Sequence, residues 1–230
     1  MPRPDDDTAW VLDCSRERFL ELAPRADFAC LMRLARHVNA LRFGQSALVH
    51  ANDDDGPVGR RSRPGAFFYN GSVLFEALGL IPELRVHFGT HAHWTRSFGR
   101  FGSDDEVRAR LAQGTDLHRL RNHVGFHVLG IVPERSLPTL ELPDYVLASG
   151  LGTKQGHVYY DLGDMIALHY LLGSPKTFEA FMREFEARGS KVTELLLSFL
   201  EASDILLPRA LQSMGLTPRI VPPTEDEQSA

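Results

Sequence analysis

Apolar residues recur at steps of three and four along most of this chain, which is the spacing that places them on one side of an α-helix. The clearest case is the segment 24–43, whose apolar positions are Phe28, Leu31, Leu34, Ala35, Val38 and Leu41. Pro24 fits the first turn of such a helix, where proline is tolerated. Since helices of this kind bury their apolar stripes against one another, the pattern predicts an all-α helical bundle.

Further helices are predicted in the first half of the chain. A short helix over 15–22 precedes the one described above, and a second long helix runs from about 66 to 84. Pro82 should kink that helix or end it near residue 81, because proline removes a helical hydrogen bond. The stretch 50–65 contains turn formers and charges without apolar periodicity, and we interpret it as an exposed loop.

Capping residues predict the helices of the second half. Ser103 and Glu106 have the spacing of a capping box and open a helix towards residue 112. Thr115 or Asp116 can cap the next helix, which should extend to about residue 128. Helices are predicted again over 161–172 and from Pro175, with Ser174 as the N-cap and Gly189 as a point where the last helix can break.

The remaining segments interrupt the helical pattern. Prolines and glycines over 133–160 exclude a long helix and predict an irregular or β-hairpin insertion, with strands at 145–148 and 157–160 around the turn 150–156. We therefore expect one helical domain over 1–217 that carries this insertion. The polar end of the chain, 218–230, is expected to be disordered.

Composition narrows the class of protein. Hydrophobic residues make up 43% and charged residues 24%, which is typical of globular proteins, and the net charge of −5 excludes a generally basic nucleic-acid coat. Cys14 and Cys30 are too few for a disulfide framework or a four-cysteine zinc site. No apolar run approaches the roughly 18 residues of a transmembrane helix, and the acidic start is unlike a signal peptide. We therefore expect a cytoplasmic protein with no membrane contact.

The segment 119–127, RLRNHVGFH, has the residue types needed to cleave RNA without a metal ion. The guanidinium of Arg121 can hold phosphate oxygens, and the imidazole of His127 can accept a proton from a hydroxyl near neutral pH. On one ideal helix the two residues would lie roughly 120° apart. They would therefore need the long arginine side chain, relaxation at Gly125 or a partner subunit to converge.

The same segment also allows a purely structural interpretation. Arg121 would then form a salt bridge with a neighbouring helix, and His127 would be a hydrogen-bonded residue of the core. Between residues 96 and 127, six arginines stand against four acidic residues. This local excess of positive charge is compatible with RNA, but it also suits a solvated helical face.

The string RNHVGFH at 121–127 resembles the motif of the HEPN superfamily of small α-helical proteins. In that motif an arginine and a polar residue are followed, after three to five residues, by a histidine. Leu120 before the motif and Phe126 within it are also similar to many bacterial members. The resemblance implies a HEPN-like helical bundle that forms a homodimer, with two motif helices meeting at a shared cleft.

The resemblance implies a function as well. Active members are metal-independent endoribonucleases, often toxins or defence effectors, while others are catalytically inactive modules that bind nucleotides, RNA or a protein such as an antitoxin. Here Arg121 would stabilise the phosphate and His127 would act as general base or acid. Asn122 would orient the pair or the scissile phosphate. His123, which lies in the variable run and has no fixed counterpart in the family, and Arg119 just before the motif are further candidate substrate-binding residues. No cofactor or metal ion is expected at this site.

A weaker alternative is a metal-binding enzyme that uses the histidine-rich string HFGTHAHW. His87, His91 and His93 lie within seven residues, and the first two have the spacing that presents two ligands on one helical face. Gly89 weakens the helix that would aim this pair, and the string lacks a HExxH arrangement. His169 and Asp164 could join such a site only through the fold.

Overall fold

The computed structural model shows an all-α helical bundle, as the sequence predicts. Among the described residues, two short antiparallel β-ladders accompany the helices. The residues that the structure describes are 10–54, 57–125, 131–141, 149–150, 158–159 and 161–220.

The bundle is built on a long helical hairpin. After the short helix α1, Arg16–Leu22, helix α2 covers Ala26–Asp53 and helix α3 covers Pro57–Gly79. The two long helices pack along each other through α2 residues such as Leu34 and Leu41, both fully buried in the core. This hairpin forms one wall of the core on which the later elements rest.

The predicted loop over 50–65 is wrong, because both helices of the hairpin extend into it. Arg63 of α3 donates hydrogen bonds to the carbonyl oxygens of Ala51, Asn52 and Asp54 over 2.8–3.3 Å, and so satisfies the carboxyl end of α2. Apolar periodicity cannot reveal such a connection, since these turns extend beyond the core and are held by polar contacts.

The predicted helix over 66–84 is two helices. Helix α3 ends at Gly79, and helix α4 covers Ile81–Phe88. Pro82 lies in the first turn of α4, where its missing N–H needs no partner. The break therefore falls before the proline rather than at it. A 3₁₀ turn at Phe98–Phe101 then leads to helix α5, Asp104–Leu111.

The predicted capping residues of the next two helices are confirmed. At the start of α5, Ser103 Oγ accepts from the backbone N–H of Glu106, and the Glu106 carboxylate accepts from the backbone N–H of Ser103 over 2.6 Å. Thr115 Oγ1 caps helix α6, Asp116–Arg119, by accepting from the N–H of His118. Instead of continuing as an α-helix, the chain then forms a π-helical turn over Leu120–Gly125, which we call the π-turn.

The insertion contains more helix than expected. Helix α7 covers Ile131–Ser136 and is followed by a 3₁₀ turn. Strand β2, Ser149–Gly150, pairs antiparallel with β3, Val158–Tyr159. The second predicted strand of the hairpin is thus confirmed, while the first, 145–148, lies outside the described residues.

Helix α8, Asp161–Leu171, agrees with the prediction, but the start of the last helix does not. Helix α9 covers Phe178–Ser213 and is capped by Thr177, whose Oγ1 accepts from the N–H of Ala180. Ser174 cannot be the cap, because its backbone lies in the left-handed region with φ 55°. The helix is also unbroken at Gly189, since one helical glycine costs only about 1 kcal/mol.

The first and last described segments pair with each other. Strand β1, Trp10–Leu12, runs antiparallel to β4, Pro218–Ile220. Residues 218–220 were expected to begin a disordered tail, and the structure corrects that expectation for them. The residues after 220 lie outside the described part of the chain.

The core is continuous through α2, α3, α4, α8 and α9. At its centre Phe199 of α9 contacts Phe98 and Phe101 edge-on, with ring centroids 5.5 and 6.2 Å apart. None of the helices in the described part of the chain has an apolar stretch long enough to cross a membrane.

Candidate functional site

The π-turn places the first part of the predicted motif against helix α3. Leu120, its first residue, is fully buried, and Ser72 Oγ donates to the Leu120 carbonyl oxygen over 3.3 Å. Gly71 makes this approach possible, because a Cβ atom there would lie 2.5 Å from Leu120 Cδ1. π-Helical turns are rare and occur frequently at functional sites.

Arg121 is half-buried, and two of its nitrogen atoms have partners. Nε donates to Glu76 Oε1 of α3 over 2.7 Å, and Nη1 donates to Asn122 Oδ1 over 2.7 Å. Among the described residues, none accepts a hydrogen bond from Nη2. These two hydrogen bonds hold the guanidinium in one orientation.

The ion pair with Glu76 is the contact that the structural interpretation of Arg121 predicted. Glu76 lies on the outer side of α3, with 44% of its side chain exposed, and 32% of the Arg121 side chain is exposed. Solvent screens such a pair, so that it contributes only about 0–1 kcal/mol to stability. A phosphate group approaching Arg121 would therefore compete with Glu76 at little cost.

His37 of α2 lies within electrostatic range of Glu76. Burial lowers the pKa of His37, and the negative charge of Glu76 partly opposes that effect. The imidazole is consequently neutral at pH 7. Sequence reasoning missed both residues, and nothing in their spacing could have found them, because they come from helices 39 positions apart along the chain.

The second half of the motif lies largely outside the described residues. His127 lies within 126–130, outside the described residues, so that its convergence with Arg121 stays a prediction. His123 is the fourth residue of the π-turn. Asn122, another predicted substrate-binding residue, contacts Arg121 through its Oδ1.

Arg119, the third predicted substrate-binding residue, lies at the end of α6. Its Nη1 donates to the carbonyl oxygen of Leu171 over 3.4 Å. The same side chain lines two neighbouring hollows. The first, with a volume of about 220 Å³, is lined by Arg119, Arg135, Tyr170, Gly173 and Ser174. The second, of about 650 Å³, is lined by Gly114, Thr115, Asp116, Arg119, Glu184, Ala187, Arg188 and Lys191.

The two hollows differ in charge. In the larger one, Arg188 is neutralised by Asp116 and Glu184, at 2.8 and 3.2 Å. Among the described residues that line the smaller one, Arg119 and Arg135 are cations and none is a carboxylate. The smaller hollow is therefore the better site for an anion. Sequence reasoning missed Arg135, because it comes from the insertion whose fold could not be predicted.

Within the described residues, the histidines of this string do not converge on a metal site. The backbone N–H of His93 donates to Nδ1 of His91 over 3.3 Å, which occupies one of the nitrogens that would bind a metal. Among the residues that the structure describes, no three His, Cys, Asp or Glu side chains converge to hold a metal ion. His169 is buried, and its Nε2 donates to the carbonyl oxygen of Pro175 over 2.8 Å, which is a structural role.

The geometry thus provides an oriented arginine in a π-turn and a cationic hollow beside it. Both features come from the segment 119–122 and its neighbours in α3, α7 and α8. Comparison of the chain with protein-family models, with curated proteins and with solved structures gives no match.

Proposed function

We propose that this chain is a HEPN-like, metal-independent endoribonuclease of the toxin or defence type. The observation that supports it is the orientation of Arg121 in the π-turn, where Glu76 and Asn122 fix two nitrogens of the guanidinium. A cation held in position before the substrate arrives stabilises developing charge without reorganising. His127 supplies the second group that the reaction requires.

The proposed reaction needs only these groups. His127 accepts the proton of the 2′-hydroxyl of RNA, and the resulting oxygen attacks the adjacent phosphorus. The bond from phosphorus to the 5′-oxygen breaks, and that oxygen takes up the proton from the His127 imidazolium formed in the first step. Arg121 stabilises the negative charge on the phosphate oxygens. The products are a 2′,3′-cyclic phosphate and a 5′-hydroxyl.

The proposed active unit is a homodimer. A composite site, with Arg121 of one subunit near the partner's His127, removes the need for both to lie on one face of a helix. A two-fold dimer is also the commonest closed assembly of identical chains. An antitoxin protein is the expected partner if the chain is a toxin.

The test is incubation of the purified chain with RNA in EDTA. Wild type should produce 2′,3′-cyclic phosphate ends, while Arg121→Ala and His127→Ala should lose activity with folding intact. Arg96→Ala is the matched control, because Arg96 is an exposed arginine outside the motif and should remain fully active. Equal cleavage by wild type and both motif variants overturns the proposal.

A second candidate is a catalytically inactive module of the same family that binds RNA, a nucleotide or a protein. The ion pair between Glu76 and Arg121 favours it, because the carboxylate neutralises the cation that catalysis would use. Binding of RNA without cleavage, or a stoichiometric partner that co-purifies, would support this candidate. Cleavage that depends on Arg121 excludes it.

A further inference from the structure

The hollow between α6, α7 and α8 has the form of a small anion site. Arg119 enters it from the end of α6 and Arg135 from α7, while the hydroxyl-bearing Ser174 follows α8. Its volume of about 220 Å³ suits a phosphate group rather than a whole nucleotide. Within the part of the chain that the structure describes, neither arginine forms an ion pair with a carboxylate.

The carboxyl end of α8 does not prevent anion binding. The end of a helix carries partial negative charge on its free carbonyl groups. Here the carbonyl oxygen of Leu171 accepts hydrogen bonds from both Arg119 and Arg188, at 3.4 and 3.2 Å. The backbone N–H groups of Gly173 and Ser174 satisfy two further carbonyls of the last turn, those of Tyr170 and His169.

The left-handed backbone at the end of α8 shapes the hollow. Gly173 and Ser174 both have positive φ, 86° and 55°. They turn the chain away from the helix axis, and this turn leaves Ser174 in the lining beside the two arginines. The arginines can donate several hydrogen bonds in a planar fork, which matches the oxygens of a phosphate.

We propose that the Arg119–Arg135 hollow binds a phosphate group. The inference rests on the proposed function in one respect, namely that the phosphate belongs to an RNA strand that continues past Arg121. Arg119 and Arg121 lie two residues apart in one helical segment, a step of about 200° around its axis, so that a strand reaching both passes around the segment. The terminal phosphate of a free nucleotide has the same chemistry, and the experiment must separate the two sources.

The probe is a short fluorescent RNA with 2′-O-methyl groups, which cannot be cleaved, and binding is measured by anisotropy at several salt concentrations. Arg135→Ala should weaken binding about tenfold, as expected for lost hydrogen bonds between charged groups. It should also reduce the slope of log K against log salt by about 0.7, the value for one phosphate contact on a single strand. Because Arg135 is exposed, its replacement leaves the core intact.

Arg119→Lys and Arg96→Ala complete the series. Arg119→Lys keeps the charge but removes the planar fork, so we expect weaker binding with a nearly unchanged salt slope. Arg96→Ala removes the same net charge from an exposed position outside the hollow and should leave affinity and slope as in wild type. An equal loss in Arg96→Ala, or none in Arg135→Ala, overturns the inference.

Three further outcomes separate the two sources of the phosphate and the two proposals. If adenosine 5′-monophosphate binding depends on Arg135 while RNA binding does not, the phosphate is that of a free nucleotide, and the strand assignment is overturned. If the protein cleaves ordinary RNA but Arg135→Ala does not change binding, the proposal that the hollow binds a phosphate is overturned and the ribonuclease proposal stands. If binding depends on Arg135 but the protein cleaves no RNA, the proposal that the hollow binds a phosphate is supported and the ribonuclease proposal is overturned.

Discussion

The hydroxyl of Ser72 donates a hydrogen bond to the carbonyl oxygen of Leu120 at the point where α6 passes into the π-turn. The preceding residue, Gly71, provides the space that the Leu120 side chain occupies. Two consecutive residues of α3 therefore set the position of the segment that carries Arg121. The site depends on helix packing as much as on its own sequence.

Replacement of Gly71 by alanine should disturb this contact. The new Cβ would lie 2.5 Å from Leu120 Cδ1, and Leu120 is fully buried and cannot move away freely. Overpacking of this kind costs about 1–3 kcal/mol. Urea unfolding should show that loss, and the amide resonances of residues 120–125 should shift.

Gly65→Ala is the matched control in the same helix. Gly65 is exposed, and an added Cβ would meet no atom within 4 Å. Alanine in place of a helical glycine should therefore stabilise the protein by about 0.5–1 kcal/mol. Equal stability of the Gly71→Ala and Gly65→Ala variants would contradict the proposed role of the Gly71–Leu120 contact.

Glu76→Gln should tighten RNA binding. The glutamine can still accept a hydrogen bond from Arg121 Nε, but it removes the negative charge that competes with phosphate. We expect a gain in affinity of about two- to fivefold at low salt, which disappears as salt increases. The free energy of unfolding should change by less than about 1 kcal/mol, because the ion pair is partly exposed. Weaker binding in this variant would show that Glu76 assists the site instead.

His37 should titrate below the usual histidine range, because burial lowers its pKa. As the pH falls, the unfolded chain therefore binds a proton at His37 before the folded chain does. The free energy of unfolding consequently decreases as the pH falls through and below the usual histidine range. NMR titration of the imidazole measures the pKa directly. Glu76→Gln should lower the pKa of His37 further, because in the wild type the negative charge of Glu76 opposes the effect of burial. An unchanged pKa in that variant would place Glu76 too far away to act.

The two cysteines should differ sharply in reactivity. Cys14 is exposed, whereas burial raises the pKa of the Cys30 thiol to about 11. The thiolate is the reactive form, so at pH 8 a thiol reagent should modify Cys14 rapidly and Cys30 only after unfolding. Mass spectrometry of the folded protein should detect a single modification. The Cys14→Ser variant should then remain unmodified until urea is added.

The fold could be predicted where helices bury an apolar stripe. Residues such as Leu31, Leu34 and Leu41 follow the helical period and are fully buried. The hairpin over 50–65 lacks such a stripe, and its helices are joined by the hydrogen bonds of Arg63 instead. Hydrogen bonds between a side chain and carbonyls 9–12 residues away leave no periodic signal in the sequence.

Only one part of the candidate site, the segment around Arg121, could be predicted from the sequence. The residue types around Arg121 mark the segment, and the alternative interpretation anticipates an ion pair with another helix. Its partner Glu76 lies 45 positions earlier, so the pairing depends on how α3 and the π-turn pack. Arg135 likewise reaches Arg119 only because α7 folds back towards α8.

The pairing of β1 with β4 determines how the fold responds to mechanical force. Trp10 lies opposite Ile220, and Leu12 lies opposite Pro218. A pull applied at Trp10 and Ile220 therefore loads this ladder at one end, and its pairs open one after another instead of sharing the load. At low tension the protein should first lengthen as the β1–β4 ladder unzips. Helices α2, α3 and α9 should remain packed until a higher force is reached.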